Sequence, residues 1–293
     1  MYRRKLMIIV LLFSSLLLFA SGGKEQAPSK PIVAVSILPH AYFVDSIAKD
    51  VVETVTLVGE GQNPHSYEPS PSQMARLAQA EVWLLSGTEF ELALKPKIER
   101  LYPKLKIIDT TEGMIFRTLE EDDHHHHDPS GLNIDRHTWL GEAQAQVLLS
   151  HATKAIIALL PPADQKVVQE RSASLSQEIT TTFAQLREEL SELKGRTVFV
   201  YHPSFGYFLD SFGINQAAVE TGGKEPTARE LERLITQAKA EEASVIFVQK
   251  QFPLASAQRV AQAVGARVVV LDPLAYQWLD TIRHMGEELK ENL

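Results

Sequence analysis

Ten histidines and no cysteine set the chemistry open to this 293-residue chain. Thiolate work is excluded, and imidazole with carboxylate is the ligand set at hand. Four of the ten, His124, His125, His126 and His127, stand together in the acidic stretch "EEDDHHHHDPSG" at 120–131. Neighbouring side chains on an extended segment diverge, so this run indicates metal affinity without building a rigid coordination sphere. Its carboxylates concentrate cations. Its imidazoles are expected to bind zinc weakly, in shifting pairs, because ordering a flexible segment costs entropy. A collector or sensor beside a main site is the expectation, with a solvated charged linker as the alternative. The internal position and the acidic setting argue against an expression tag.

A rigid site must then come from isolated residues, and their positions depend on the elements that carry them. Short β-branched runs at 32–38, 52–58, 81–86 and 105–109 alternate with helical patterns, one opened by the capping box Ser70-x-x-Gln73. Strands separated by helices predict a parallel sheet with right-handed crossovers. From 138 to 194 the pattern is helical only, broken at Pro161 and Pro162. Within it Val168, Leu175, Ile179, Leu186, Leu190 and Leu193 form one apolar stripe, predicting a single long helix of roughly 46 Å. A coiled coil is the alternative. The β/α rhythm resumes at 196–201, 214–220, 244–249 and 266–272, with a second capping box Thr227-x-x-Glu230. The expected fold class is α/β, with two lobes at 32–162 and 195–293. Each is a four-stranded parallel sheet flanked by helices, and one rigid backbone helix at 163–194 joins them. The histidine-rich loop spans 118–131 of the first lobe.

On this map His65 lies in the loop after the second strand, His137 ends the loop after the fourth, His202 follows the fifth, and Asp272 follows the eighth. All four sit beyond the carboxyl ends of parallel strands, where open α/β sheets place ligands. Two come from each lobe, so the interlobe cleft is their meeting place. Three neutral imidazoles and a carboxylate make a four-coordinate sphere suited to Zn²⁺. Each also has an ordinary reading: a loop histidine can cap a helix, and Asp272 before Pro273 is by itself a normal N-cap. His40, His151 and His284 fall on helical patterns and read as surface or packing residues. Trp139, Tyr207, Phe208, Tyr276 and Trp278 flank the candidate ligands, as cleft walls or as core.

The stretches "NPHSYEPSPSQMARLAQAEVWLLSGTEFE", "HTWL", "HPSFGYF" and "LDPL" resemble, in order, the four ligand motifs of the metal-specific solute-binding proteins of bacterial ABC transporters. This is the zinc/manganese cluster, and the likeness is closest to its zinc-binding branch. The resemblance runs from about Pro31 to the C-terminus. It implies that His65, His137, His202 and Asp272 are metal ligands, that the lobes move little, that the partner is an ABC membrane permease, and that a zinc-specific member often carries a histidine-rich loop. One departure is Arg136, where the family has proline before this histidine; its charge is expected to weaken metal binding unless it turns toward Asp135 or solvent. Manganese-specific members carry a carboxylate at the third position, where this chain has His202. Nitrogen-rich ligation favours Zn²⁺ over Mn²⁺, with manganese or iron as the alternative.

The N-terminus has Arg3, Arg4 and Lys5, then an apolar run to Phe19 and small residues. This is the form of a signal peptide (1–22), shorter than the ~20 apolar residues of a membrane span, followed by a tether at 23–31. An uncleaved anchor is the alternative. Removing the leader takes the formal charge from −8 to −11, which argues against nucleic acid and anionic membrane as partners. A monomer in the periplasm is expected. A secreted zinc hydrolase and a surface adhesin are the competing classes. No HExxH or GxSxG is present; Glu68 is the acid nearest a candidate ligand in sequence, and no enzyme activity is expected.

Overall fold

The computed structural model describes residues 30–119, 134–220 and 227–293. The leader and most of the tether lie outside these, as do His124, His125, His126 and His127. The first four strands are β1 (Ile32–Val35), β2 (Glu53–Thr56), β3 (Val82–Leu85) and β4 (Lys106–Asp109), all parallel, in the order β2-β1-β3-β4. The second sheet holds β5 (Thr197–Val200), β6 (Asn215–Ala218), β7 (Val245–Gln249) and β8 (Arg267–Leu271), parallel in the order β6-β5-β7-β8. The expected strands are all present, each shorter by one to three residues at its ends. Parallel strands are covered on both faces and read as continuous apolar runs. Accordingly "VWLL" of β3 and "VIFVQ" of β7 are wholly buried, while the edge strands β4 and β8 leave positions exposed. The strand order reverses between β1 and β3, and between β5 and β7. Such switch points open a crevice at the carboxyl ends.

Helix α1 (Leu38–Ala48) follows β1, and α2 (Pro71–Leu77) follows β2. In α2 Ser70 and Gln73 satisfy each other's backbone N–H groups, the reciprocal cap expected there. Helix α3 (Glu89–Leu101) begins at a turn where the Glu91 carboxylate, 1% exposed, accepts the N–H groups of Ser86, Gly87 and Thr88. Gly87 holds φ +83° in this turn, a conformation that favours glycine. Helix α4 (Glu142–Ile157) precedes the long helix α5 (Pro162–Glu189), and a 3₁₀ turn at Ser191–Leu193 ends the segment. The long element is therefore one helix of about 42 Å and a separate turn, rather than helix through 194. All six stripe residues are buried, and Thr182 and Phe183 join them. They pack against α4, α1 and α9 (Trp278–Asn292), so α5 is a spine of the globule and not a coiled coil. Gly286 of α9 gives α5 its closest approach: a Cβ there would lie 2.4 Å from Leu186 Cδ2. Short α6 (Gly206–Asp210), α7 (Ala228–Ala240) and α8 (Leu254–Val264) complete the second sheet's layers. The main apolar core runs from Val33 through Phe183 to Leu289, a second cluster gathers Phe199, Tyr201, Ile246, Val248 and Val260, and Pro31–Leu293 forms one compact unit.

Candidate metal centre

Each candidate histidine is set by a turn just beyond the sheets. His65 occupies a 3₁₀ turn (Pro64–Ser66) whose Asn63 side chain accepts the His65 N–H at 3.0 Å. His137 immediately precedes the 3₁₀ turn Thr138–Leu140, and His202 lies two residues past β5. The fold brings these three together: their ligand atoms lie within 4.8 Å of one another. His137 Nε2 and His202 Nε2 are 3.3 Å apart. Two nitrogens each roughly 2.0–2.1 Å from one Zn²⁺ at a tetrahedral angle stand about 3.3–3.4 Å apart, so this pair already has the spacing of a chelate. His137 and His202 are buried, and the His65 side chain is 31% exposed. Asn63, Thr88, Glu89, Arg136, Trp139, Gln249 and Gln251 line a pocket with His65 and His137.

Every one of the three histidines carries a carboxylate on Nδ1. Glu89 stands 3.3 Å from His65, Asp135 2.9 Å from His137, and Glu220 is hydrogen-bonded to His202. Such partners fix the ring orientation and tautomer and leave Nε2 for a metal. Burial pulls the His65 pKa down, but the hydrogen bond and charge of Glu89 outweigh it and raise the value above 6.5. Burial likewise pushes Glu89 up, and His65 brings it down to about 2. His202 goes the other way: burial, reinforced by the neighbouring His137 and His65, lowers it to about 4 despite Glu220. His202 is therefore held neutral at neutral pH, the form in which an imidazole can serve as a metal ligand.

Asp272 does not join the group. Its Oδ1 accepts Gln251 Nε2 at 2.7 Å and the Leu274 N–H at 3.2 Å, and Lys250 Nζ lies 3.6 Å from Oδ2. Nor is it a helix N-cap, since α9 begins at Trp278 with Gln277 before it; Asp272 caps only the turn at Pro273–Leu274, and among the described residues the clustered ligand set is three histidines. Arg136 donates to the Gly87 carbonyl at 3.0 Å, and Asp135 accepts from Arg117. The acid beside His65 is Glu89, not Glu68. His40 is buried in α1, with neither ring nitrogen hydrogen-bonded among the described residues, and burial lowers its pKa to about 3. His151 reaches the Glu112 carbonyl at 2.9 Å, and His284 is exposed between Glu287 and Glu288. Trp139, Tyr207, Phe208 and Trp278 are buried; of the five flanking aromatics Trp139 alone lines the pocket. Sequence reasoning missed Phe252, stacked on His202 at 4.5 Å, along with Glu89 and Glu220.

The family model described as "Zinc-uptake complex component A periplasmic" matches residues 33–292. The zinc-binding lipoprotein AdcA of Streptococcus pneumoniae is 25% identical over 278 residues, covering 92% of this chain. The chain spans only 55% of that relative's length. The high-affinity zinc uptake system protein ZnuA of Yersinia pestis is 26% identical, with 83% of this chain and 82% of that protein covered. A crystal structure of ZnuA superposes with TM-score 0.82 at 29% identity, covering 90% of this chain and 99% of the other. Two four-stranded parallel sheets, a long connecting helix and a family match over nearly all of the described residues lead to one conclusion: the chain belongs to the ZnuA family of metal solute-binding proteins.

Proposed function

We propose that this chain is an extracytoplasmic zinc-binding protein that captures Zn²⁺ through His65, His137 and His202 and delivers it to an ABC permease. The observation that carries the reading is the pair of buried imidazoles with Nε2 atoms 3.3 Å apart, each backed by a carboxylate. Nitrogen-only ligation favours zinc over manganese, and the named zinc-uptake relatives support the same choice. Three protein ligands leave one coordination position for water or an incoming group. That suits cargo that must leave, and it differs from the closed four-ligand spheres of structural zinc. A hydrolase would need a general base free to act on the metal-bound water; Glu89, Asp135 and Glu220 are instead each committed to a histidine Nδ1. Residues 32–162 and 195–293 act as two lobes around the cargo, with 163–194 between them, and the protein works as a monomer in the periplasm. Among the described residues no helix is long and apolar enough to cross a membrane.

The test is elemental analysis and native mass spectrometry of purified protein, stripped by chelator and reloaded. One tightly held zinc per chain is expected, lost by orders of magnitude in affinity in His65→Ala. Tight manganese with weak zinc would sink the metal assignment, and no metal in any form would sink the function.

A further inference from the structure

We propose that Arg117 is a positioning residue for the metal centre, holding His137 in place through Asp135 while anchoring the segment that carries His202. The inference rests on the zinc-binding reading above. Arg117 does not reach the histidine cluster itself. Its Nη1 donates to Asp135 Oδ2 at 2.9 Å and its Nε to Asp210 Oδ2 at 2.6 Å. Asp135 is fully buried, and its other oxygen accepts both the His137 N–H at 3.0 Å and Nδ1–H at 2.9 Å. Asp210 ends α6, the helix that directly follows the His202 turn. One planar guanidinium thus joins the supports of two ligands that come from different sheets.

The backbone around this link is equally fixed. The Arg117 N–H donates to Tyr207 Oη at 2.9 Å, Tyr207 Oη–H donates to the Asp135 carbonyl at 2.8 Å, and the Asp135 N–H returns to the Arg117 carbonyl at 2.9 Å. Gly206 completes the cradle: a Cβ there would stand 1.8 Å from Arg117 Nη1 and 2.4 Å from its Cζ. The guanidinium occupies the volume that any other residue at 206 would fill. Gly206 has ordinary backbone geometry, so space for Arg117 is the reason for glycine here. Arginine suits the role because its rigid fork serves two carboxylates at once, whereas lysine presents a point charge.

Loss of an outer partner of a metal-binding histidine typically costs about 10–100-fold in affinity. The experiment measures zinc affinity of the full chain by chelator competition, in Arg117→Met, Arg117→Lys, His137→Ala and the double variant His137→Ala/Arg117→Met. Arg117→Met is expected to weaken zinc binding about 10–100-fold and to cost much less once His137 is alanine, because only the Asp210 link to the His202 segment is then left to lose. Arg117→Lys should recover part of the loss. An equal loss in both backgrounds, or undiminished affinity in Arg117→Met, overturns the proposal. If Arg117→Met does not fold, Gly206→Ala displaces the guanidinium instead. It should weaken zinc in the same way, and unchanged affinity there counts against the proposal. Failure of the centre itself reads differently: His65→Ala would then bind zinc as tightly as the unaltered chain.

Discussion

Replacing His202 by alanine tests the buried carboxylate behind it as much as the metal. Glu220 is 2% exposed; its Oε2 is bonded to His202 Nδ1, and its Oε1 has no hydrogen-bond partner among the described residues. His202→Ala removes that donor and the ring stacked on Phe252. Leaving a buried acceptor without its donor costs about 1–3 kcal/mol, and more when the acceptor is charged. Taking about 3 kcal/mol, and roughly 2–4 °C per kcal/mol for a chain of this size, the melting temperature falls by about 6–12 °C. The effect must appear in chelator-stripped protein, where no metal contributes. Removing both partners is close to neutral, so His202→Ala/Glu220→Leu should regain more than half of the loss. The assay is calorimetry or scanning fluorimetry of the three metal-free proteins, with His65→Ala as a control at the exposed ligand. If His202→Ala melts with His65→Ala, or the double variant melts no higher than the single, Glu220 does not depend on His202.

The pH dependence expected of zinc binding follows from the opposite shifts of two candidate ligands. His65, raised by Glu89, keeps its proton at pH values where an ordinary imidazole has lost it. Zinc must displace that proton, so affinity falls as pH drops through the raised value, about tenfold per pH unit for this proton. His202, near 4, adds no competition until far lower pH. Glu89→Gln should move the onset downward in a zinc titration at stepped pH, and a profile identical to that of the unaltered chain would contradict this. Zinc at about 100 times its Kd should raise stability by about 2.7 kcal/mol through binding to the native state alone, seen as a higher melting temperature; equal temperatures with and without zinc argue against a native-state site. Deleting residues 120–128 should leave one tight site and remove additional weak zinc binding in calorimetry. Loss of the tight site would mean that His124, His125, His126 or His127 supplies a ligand, and an unchanged stoichiometry would make the segment a linker.

What could be read from the sequence were features with local periodicity. Apolar runs marked all eight strands, and the stripe from Val168 to Leu193 marked the long element, though not its break after Glu189. Placement after strand ends was enough to single out His65, His137 and His202. It failed for Asp272 because topology puts a residue near a crevice without saying which way its side chain turns. There Gln251 and the Leu274 N–H compete for the carboxylate. Glu220 was invisible for a different reason. β5 and β6 pair with an offset of 18 residues, Val200 against Ala218, and the same offset sets Glu220 beside His202. That register exists only once the sheet has formed. Asp135 was noticed as a place for Arg136 to turn, yet Arg117 takes it, from a position 18 residues away in sequence.

The two tryptophans near the centre carry a mechanical consequence. Trp139 Nε1–H donates to the Pro273 carbonyl, and Trp278 Nε1–H donates to the Trp139 carbonyl, both at 2.8 Å and both buried. These bonds stitch the segment after His137 to the segment after β8, with the Trp139 ring 5.5 Å from that of His137, and α5 packs on helices from both sides. Wide opening would leave buried indole N–H groups unpaired, at about 1–3 kcal/mol each. The part left to yield is the short turn bearing His65, the most exposed of the three candidate ligands. Cargo should therefore leave by the yielding of a single turn rather than the swing of two bodies. Solution scattering profiles with and without zinc should then superimpose, while amide exchange near 64–66 slows on loading; a change in radius of gyration would refute it.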